Sequence, residues 1–406
     1  MPMKVLLSDE AFDGQFLRAI GHMYEGGADF GECYSTARRI KPHDTESWHK
    51  EWKATADRTE TIAKTALERK HRQSAYESYL RASMYYRASG QFFIGDANEK
   101  RTLLAFEASA RCFQEAMKLS TNAKCEVVKI PYKDGAHLPA YFLTPVTSDT
   151  EKTGHTIIVN GGYDSVKEEC YFFSGAAALR RGYKVLLFDG PGQGLTLLEQ
   201  KLTTIPDWEN VLTPVVDYLC TRNDVDKAKI AAIGISLGGY QVPRAVTKEK
   251  RISAIIADPA QVSIGKKARA RLPLPLSWKA SFPKDTPWWA VSIINTVLGR
   301  RAADPSYGWT MRRIQHVHGL ANITDMFTEL DRFELDPAQV TCPVYVSFAE
   351  NDAIASEAEE FYKKCGSKVK KFVRYTEDTG SDEHCEAANR SSFNQDSLDW
   401  LEELWA

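Results

Sequence analysis

Apolar positions change their period along this chain, and the change divides it. Over the first 124 residues they recur three and four apart. Leu103, Phe106, Ala110, Phe113 and Met117 form one such stripe, and Ala75, Tyr79, Ala82 and Tyr86 form another. That spacing puts side chains on one face of a helix, so residues 1–124 are expected to be a helical region. No 34-residue repeat marks it as a solenoid.

At "CEVVKIPYKDGAHLPAYFLTP" the pattern shortens, and two runs flank a Lys-Asp-Gly turn, as in a β-hairpin. Continuous apolar runs follow at 155–160, 183–189, 229–235, 252–258, 343–349 and 370–376, separated by helical stretches. Strands apolar at every position are buried on both faces. The predicted fold class is therefore α/β, a mostly parallel sheet flanked by helices. Between Pro259 and Ala338 the rhythm breaks into a proline- and tryptophan-bearing stretch with no strand-like run. The expected organisation is a helical N-terminal region (1–124), a core (125–258 and 339–406) and a helical cap insertion (259–338). The two helical parts are expected to form a lid over the C-terminal edge of the sheet, where open α/β sheets bind ligands.

Composition narrows the function. A chain of 406 residues exceeds the usual single domain, and its 43% hydrophobic content suffices for a large core. A net charge of −2 gives no basic footprint for nucleic acid. The eight cysteines include no C-x-x-C pair, which argues against a zinc site or disulfide framework and fits a reducing compartment. The start "MPMKVLLSDEAFDG" has too short an apolar run for a signal peptide, and no window is long enough to span a membrane. The expectation is a soluble cytoplasmic protein without metal or cofactor, acting on a small molecule.

The chemistry centres on "GISLGG", residues 234–239. It fits G-x-S-x-G, follows an apolar strand and leads into a helical stretch, the context of a nucleophile elbow that exposes Ser236. A serine hydroxyl needs a base, and the base needs an orienting acid. In this fold the acid and then the histidine follow the serine in the chain. "SFAEND" places Asp352 just beyond a strand, and "TGSDEHCEA" carries His384, the only histidine after residue 318. Glu350 and Asp258 are alternative acids. The "NGGYDS" loop after the third strand is the expected second half of an oxyanion hole. Leu237 and Tyr163 would donate backbone N–H groups there, and Gly161 and Gly162 would allow close approach. Asp164, Glu168 and Glu169 are read as holding that loop or capping the next helix.

Other motifs carry less. "DGPGQG" (189–194) lacks the G-K-[ST] of a phosphate loop and reads as a turn that can shape the pocket. "GKKARAR" (265–271) reads first as a solvated face; the functional alternative is attraction of an anionic substrate or acidic carrier. Trp278, Trp288, Trp289 and Trp309 either roof the pocket or pack the insertion.

The Gly-Gly-x-Asp-Ser loop, "DGPGQG", "GISLGG" and "EHC" occur in order behind "YLRASMYYR". Together they resemble an α/β-hydrolase branch, the 2,6-dihydroxypseudooxynicotine hydrolase family, which includes fungal polyketide-shortening pigment hydrolases. The resemblance implies a Ser236–Asp352–His384 triad, an N-terminal region joined to the cap and a homodimer. It also implies hydrolysis of carbon–carbon bonds in β-dicarbonyl-like or acyl-aromatic substrates, with relatives acting on esters or assisting polyketide release and cyclisation. A cap carboxylate aids some of these enzymes, but no motif places one here. The alternatives kept open are an esterase or acyltransferase using the same triad, a serine peptidase and a non-enzymatic binding protein of the same fold.

Overall fold

Asp9 and Asp44 start helices by accepting hydrogen bonds from N–H groups two and three residues on. In this computed structural model, which describes all residues except 1–2, 147–153, 271, 273, 275, 280, 305–307 and 353–356, they cap the first and third of five N-terminal helices. These are α1 (Glu10–Gly21), α2 (Phe30–Ala37), α3 (Thr45–Glu68), α4 (Arg72–Gly90) and α5 (Lys100–Leu119). The periodic stripes face inward: Tyr79, Ala82, Phe106, Phe113 and Met117 are all buried. Phe12, Trp48, Trp52, Tyr85 and Phe92 add a chain of ring contacts with centroids 4.7 to 5.7 Å apart.

Eight strands make one sheet. They are β1 (Ala123–Pro131), β2 (His137–Pro145), β3 (Thr156–Asn160), β4 (Lys184–Phe188), β5 (Ile230–Ile235), β6 (Ala254–Asp258), β7 (Val344–Ala349) and β8 (Lys370–Tyr375). Their order is β1-β2-β4-β3-β5-β6-β7-β8. The β1–β2 hairpin is antiparallel, as its turn predicts; β2 meets β4 antiparallel, and every later pair is parallel. From β3 onward each strand is one or two residues shorter than its apolar run.

Successive residues of these strands serve opposite cores. Ile157 and Val159 face the core shared with the N-terminal helices, whereas Ile158 faces the other. Burial on both faces explains the nearly continuous apolar runs. Short helices α6 (Lys167–Cys170), α7 (Ala176–Arg180) and α8 (Gly194–Leu198) follow β3 and β4, and α9 (Glu209–Thr221) and α10 (Gly238–Val246) flank β5. The insertion folds as α11 (Ile264–Ala270), α12 (Leu276–Lys279), α13 (Trp288–Ala302), α14 (Trp309–His318) and α15 (Asp325–Asp331). Helices α16 (Ala358–Lys364) and α17 (Arg390–Trp405) complete the chain.

The insertion has its own small core around Phe282, Leu298, Ile323 and Phe327. Its tryptophans divide by role. Trp309 is buried, packs edge-on against Phe92 at 5.1 Å and donates its Nε1–H to the Gln91 carbonyl at 2.9 Å. Trp288 is 82% exposed and Trp289 51%, so neither roofs a pocket. In the basic run, Lys266 pairs with Glu334 and Arg269 with Asp331. Its Lys267 side chain and Arg271 lie outside the described residues.

Candidate active site

Ser236 sits in the turn between β5 and α10 with a φ of 58°. A β-carbon at Gly234 would lie 2.1 Å from the Gly238 carbonyl oxygen, so the sharp turn requires glycine there. The Ser236 N–H donates to the Asp258 carbonyl at 2.6 Å, and the Gln261 side chain donates to the Ser236 carbonyl at 2.7 Å. This leaves the hydroxyl at the C-terminal end of the parallel strands.

The structure brings Ser236, His384 and Asp352 together. His384 Nε2 is 2.8 Å from Ser236 Oγ, and its Nδ1 is 2.6 Å from Asp352 Oδ2. A neutral imidazole with its proton on Nδ1 donates to the carboxylate and accepts from the serine hydroxyl. Burial opposes charging of the ring, while the Cys385 sulfur and the Asp352 carboxylate favour it. The balance raises the His384 proton affinity well above the ordinary histidine value. The alternative acids are occupied elsewhere. Asp258 accepts from Ser347 Oγ at 2.7 Å and pairs with buried Arg390, which also donates to the Cys385 carbonyl at 2.9 Å. Glu350 bonds to Arg374 and the Glu377 N–H.

The Gly-Gly loop approaches the serine closely. A β-carbon on Gly162 would lie 2.7 Å from that of Ser236. The Gly162 N–H donates to Ser165 Oγ at 2.9 Å, so this residue supplies space rather than a donor. The N–H groups of Tyr163 and Leu237 have no acceptor among the described residues. Sequence reasoning missed what fixes this loop. Gln193, inside "DGPGQG", donates to the carbonyls of Gly161 and Gly162 at 2.8 and 2.9 Å. Asn160 accepts from Trp208 at 2.7 Å and donates to Gln241 at 2.8 Å.

The acidic residues of the loop are not helix caps. The residue before helix α6, Val166, offers it no side-chain cap. Asp164 instead accepts from Arg18 at 3.0 Å, Arg313 at 2.9 Å and Gln91 at 2.5 Å. Glu169 pairs with Arg18 and lies 3.5 Å from Arg87, and Glu168 pairs with Lys167. Burial alone would raise the Asp164 carboxyl; its arginines outweigh that and hold it well below the usual range. Except for Glu168–Lys167, these pairs join segments distant in sequence, and no local spacing announces them.

Ser236 and His384 open onto a cavity of about 380 Å³. Gln15 and Arg18 of α1 and Trp309 and Arg313 of α14 line its other walls. Both helical parts of the chain thus reach the serine. A larger hollow of about 620 Å³, between Tyr24, Tyr76, Arg81 and Arg180, contains none of these residues.

An eight-stranded, mostly parallel sheet with a serine at this turn is what one family is built on, and the sequence model described as "Alpha/beta hydrolase family" matches residues 157–389. The chain belongs to this family. A second model, "Esterase FrsA-like", matches residues 41–264 of this hydrolase. Among its relatives, Alpha/beta hydrolase xenA of Xenoacremonium sinensis is 33% identical, covering 83% of this chain and 81% of the relative. The 20-hydroxy-prefusarin hydrolase FUS2 of Gibberella moniliformis is 32% identical, covering 85% and 83%. Of solved structures, 2,6-dihydroxy-pseudo-oxynicotine hydrolase superposes with a TM-score of 0.73 at 19% identity, covering 94% of each chain. AbyA5 follows the same fold, with a TM-score of 0.63 at 16% identity over 95% and 94%.

Proposed function

We propose that this hydrolase uses Ser236 as a nucleophile on a hydrophobic ketone- or ester-bearing metabolite, and that its reaction is carbon–carbon hydrolysis of a polyketide-type 1,3-dicarbonyl in secondary metabolism. The observation that carries the reading is the continuous Ser236–His384–Asp352 hydrogen-bond chain at a cavity lined by residues of both helical parts. Ser236 Oγ attacks the carbonyl carbon while His384 Nε2 takes its proton, and Asp352 holds the imidazole and balances its charge. The oxyanion forms beside the Tyr163 and Leu237 N–H groups. Collapse breaks the bond to the leaving carbon, whose electron pair delocalises as an enolate and takes the proton from His384. Water, deprotonated by the same histidine, then cleaves the acyl-serine to the acid.

The carbon–carbon preference follows the resemblance to polyketide-shortening enzymes, and the relative named a 20-hydroxy-prefusarin hydrolase supports a metabolite of that kind. The esterase-like match over 41–264 favours a second reading, ester hydrolysis or acyl transfer by the same groups. Matched ketone and ester substrates carrying the same acyl group separate the two. The ketone is expected to have the higher kcat/KM. An ester advantage of about 100-fold, or about 2.7 kcal/mol in transition-state free energy, would assign the enzyme to the second reading.

The proposal includes the division at 124, 258 and 338, with residues 1–124 and 259–338 as a lid. It includes a cytoplasmic setting, supported by eight free thiols. The homodimer rests on the resemblance, and sedimentation equilibrium is its test.

A further inference from the structure

The reaction as written leaves one wall of the cavity unused, and that wall is charged. Arg313 projects from α14 beside the cavity that holds Ser236. Its guanidinium carbon lies 4.4 Å from the Trp309 ring centroid and 5.0 Å from that of Tyr163. Two aromatic rings and the Asp164 contact therefore fix the plane of the group. One Nη1–H is used on Asp164. The buried Nε–H has no acceptor among the described residues, and neither has the buried Oε1 of Gln15, on the same cavity, any donor. Among the described residues Tyr163 Oη, on the same cavity, is likewise buried without a partner, and no hydrogen bond uses Nη2 of Arg313, whose side chain is 17% exposed. An unpartnered N–H at a cavity is a place for a ligand oxygen.

The charge count points the same way. Arg18, Arg87 and Arg313 are three cations around two carboxylates, Asp164 and Glu169, leaving one positive charge in excess. His22 also touches Glu169, but burial lowers its proton affinity, so it adds no charge near neutral pH. Burial, with the neighbouring Arg18, pushes Arg87 down to about 10. Lys167, Glu168 and Asp189 form a separate ion group that does not line the cavity. Glu383 does line it, where its carboxylate accepts from the Met3 N–H and burial raises its carboxyl above the ordinary value. Asp164, for its part, already has Arg18 and Gln91, so Arg313 is not needed to satisfy it. A buried excess cation is costly unless an anion meets it.

We propose that Arg313 is a specificity-determining residue whose guanidinium binds an anionic oxygen of the substrate, remote from the carbonyl that Ser236 attacks. This rests on the serine-hydrolase reading of the pocket and names its substrate class. Two sources supply such an oxygen: a carboxylate carried by the substrate, or the enolate oxygen that develops on the leaving group of a 1,3-dicarbonyl. A carboxylate is bound in the ground state. An enolate gains most in the transition state.

The test uses Ser236→Ala protein, in which a bound substrate stays intact, with and without Arg313→Met. In the first arm a 1,3-diketone is bound and its enolate followed by ultraviolet absorbance against pH. The bound diketone is expected to ionise about one pH unit below the free compound, the size of effect an adjacent cation exerts, and to lose that shift in the Arg313→Met protein. In the second arm calorimetry compares an arylalkanoate with its neutral amide. A preference of about tenfold for the carboxylate, abolished by Arg313→Met, is expected if the substrate carries a carboxylate. Either Arg313-dependent effect supports the proposal and identifies the source. Arg313→Lys retains the charge without the planar fork and is expected to fall between, which keeps the test decisive should the methionine variant unfold. If both effects are absent, or persist unchanged in both Arg313 variants, the proposal is overturned. Consumption of the diketone by Ser236→Ala protein would refute the serine reading instead, and leaves the binding comparison at Arg313 to be judged separately.

Discussion

Gly162 shows how little space the proposed chemistry leaves. Its missing β-carbon is all that separates the loop from Ser236, so Gly162→Ala must displace either the serine or the Tyr163 N–H. Loss of one oxyanion donor costs about 10²- to 10³-fold in kcat, and a decrease of that order is expected, with substrate binding changed far less. At the acid, Asp352→Asn is expected to lower kcat by roughly 10⁴-fold, as when the histidine tautomer is lost in other triads. Near-normal turnover in that variant would contradict the assigned role. The sign of the pH dependence follows from His384. It acts as a base only when neutral, and its proton affinity in the folded protein is raised. Activity should therefore rise with pH through a limb displaced to the alkaline side of about 6.5, the ordinary histidine value. Asp352→Asn removes a group that favours the imidazolium, so the residual limb should move to lower pH. A limb at or below 6.5 in the unaltered enzyme would count against the geometry.

Between elements, Trp309 links the insertion to the N-terminal helices, beside the contact of His316 with the Ile94 carbonyl. Replacement of Trp309 by alanine removes a buried ring from Phe92 and a hydrogen bond to Gln91, at a cost of about 3–5 kcal/mol. Because Arg313 lies one helical turn further along α14, KM should rise as well. A variant with unchanged midpoint in urea and unchanged KM would show that the link carries nothing. The same scale explains what the sequence revealed. Strands β3 to β7 were legible because burial on both faces leaves nearly continuous apolar runs. Ser236 was legible because a strand, a glycine turn and a helix constrain each other locally. Asp352 and His384 followed from chain order. The clamp of Gln193 on the Gly-Gly loop and the meeting of Arg18, Asp164 and Arg313 were not legible. Their partners lie 32, 146 and 149 residues apart, and a sequence states which polar groups exist without stating which meet. The four tryptophans of the insertion show the same limit, since one alone turned out to line the pocket.

At the scale of the whole molecule, the N-terminal helices share a core with one face of the sheet, in which the Phe113 ring packs tilted against that of Tyr141 with centroids 5.0 Å apart. Deleting residues 1–124 would bare that face and remove Arg18 and Gln15 from the cavity. The truncated chain is expected to lose its near-ultraviolet circular dichroism, and retention of a native spectrum with activity would separate the helices from the enzyme. The central claim, that the assembled molecule delivers Ser236 as a nucleophile, is tested most directly by intact-protein mass spectrometry after exposure to a fluorophosphonate. One adduct per chain, mapped to Ser236 and absent from folded Ser236→Ala, is the predicted result. An adduct of equal yield on the alanine variant would place the nucleophile elsewhere and contradict the account.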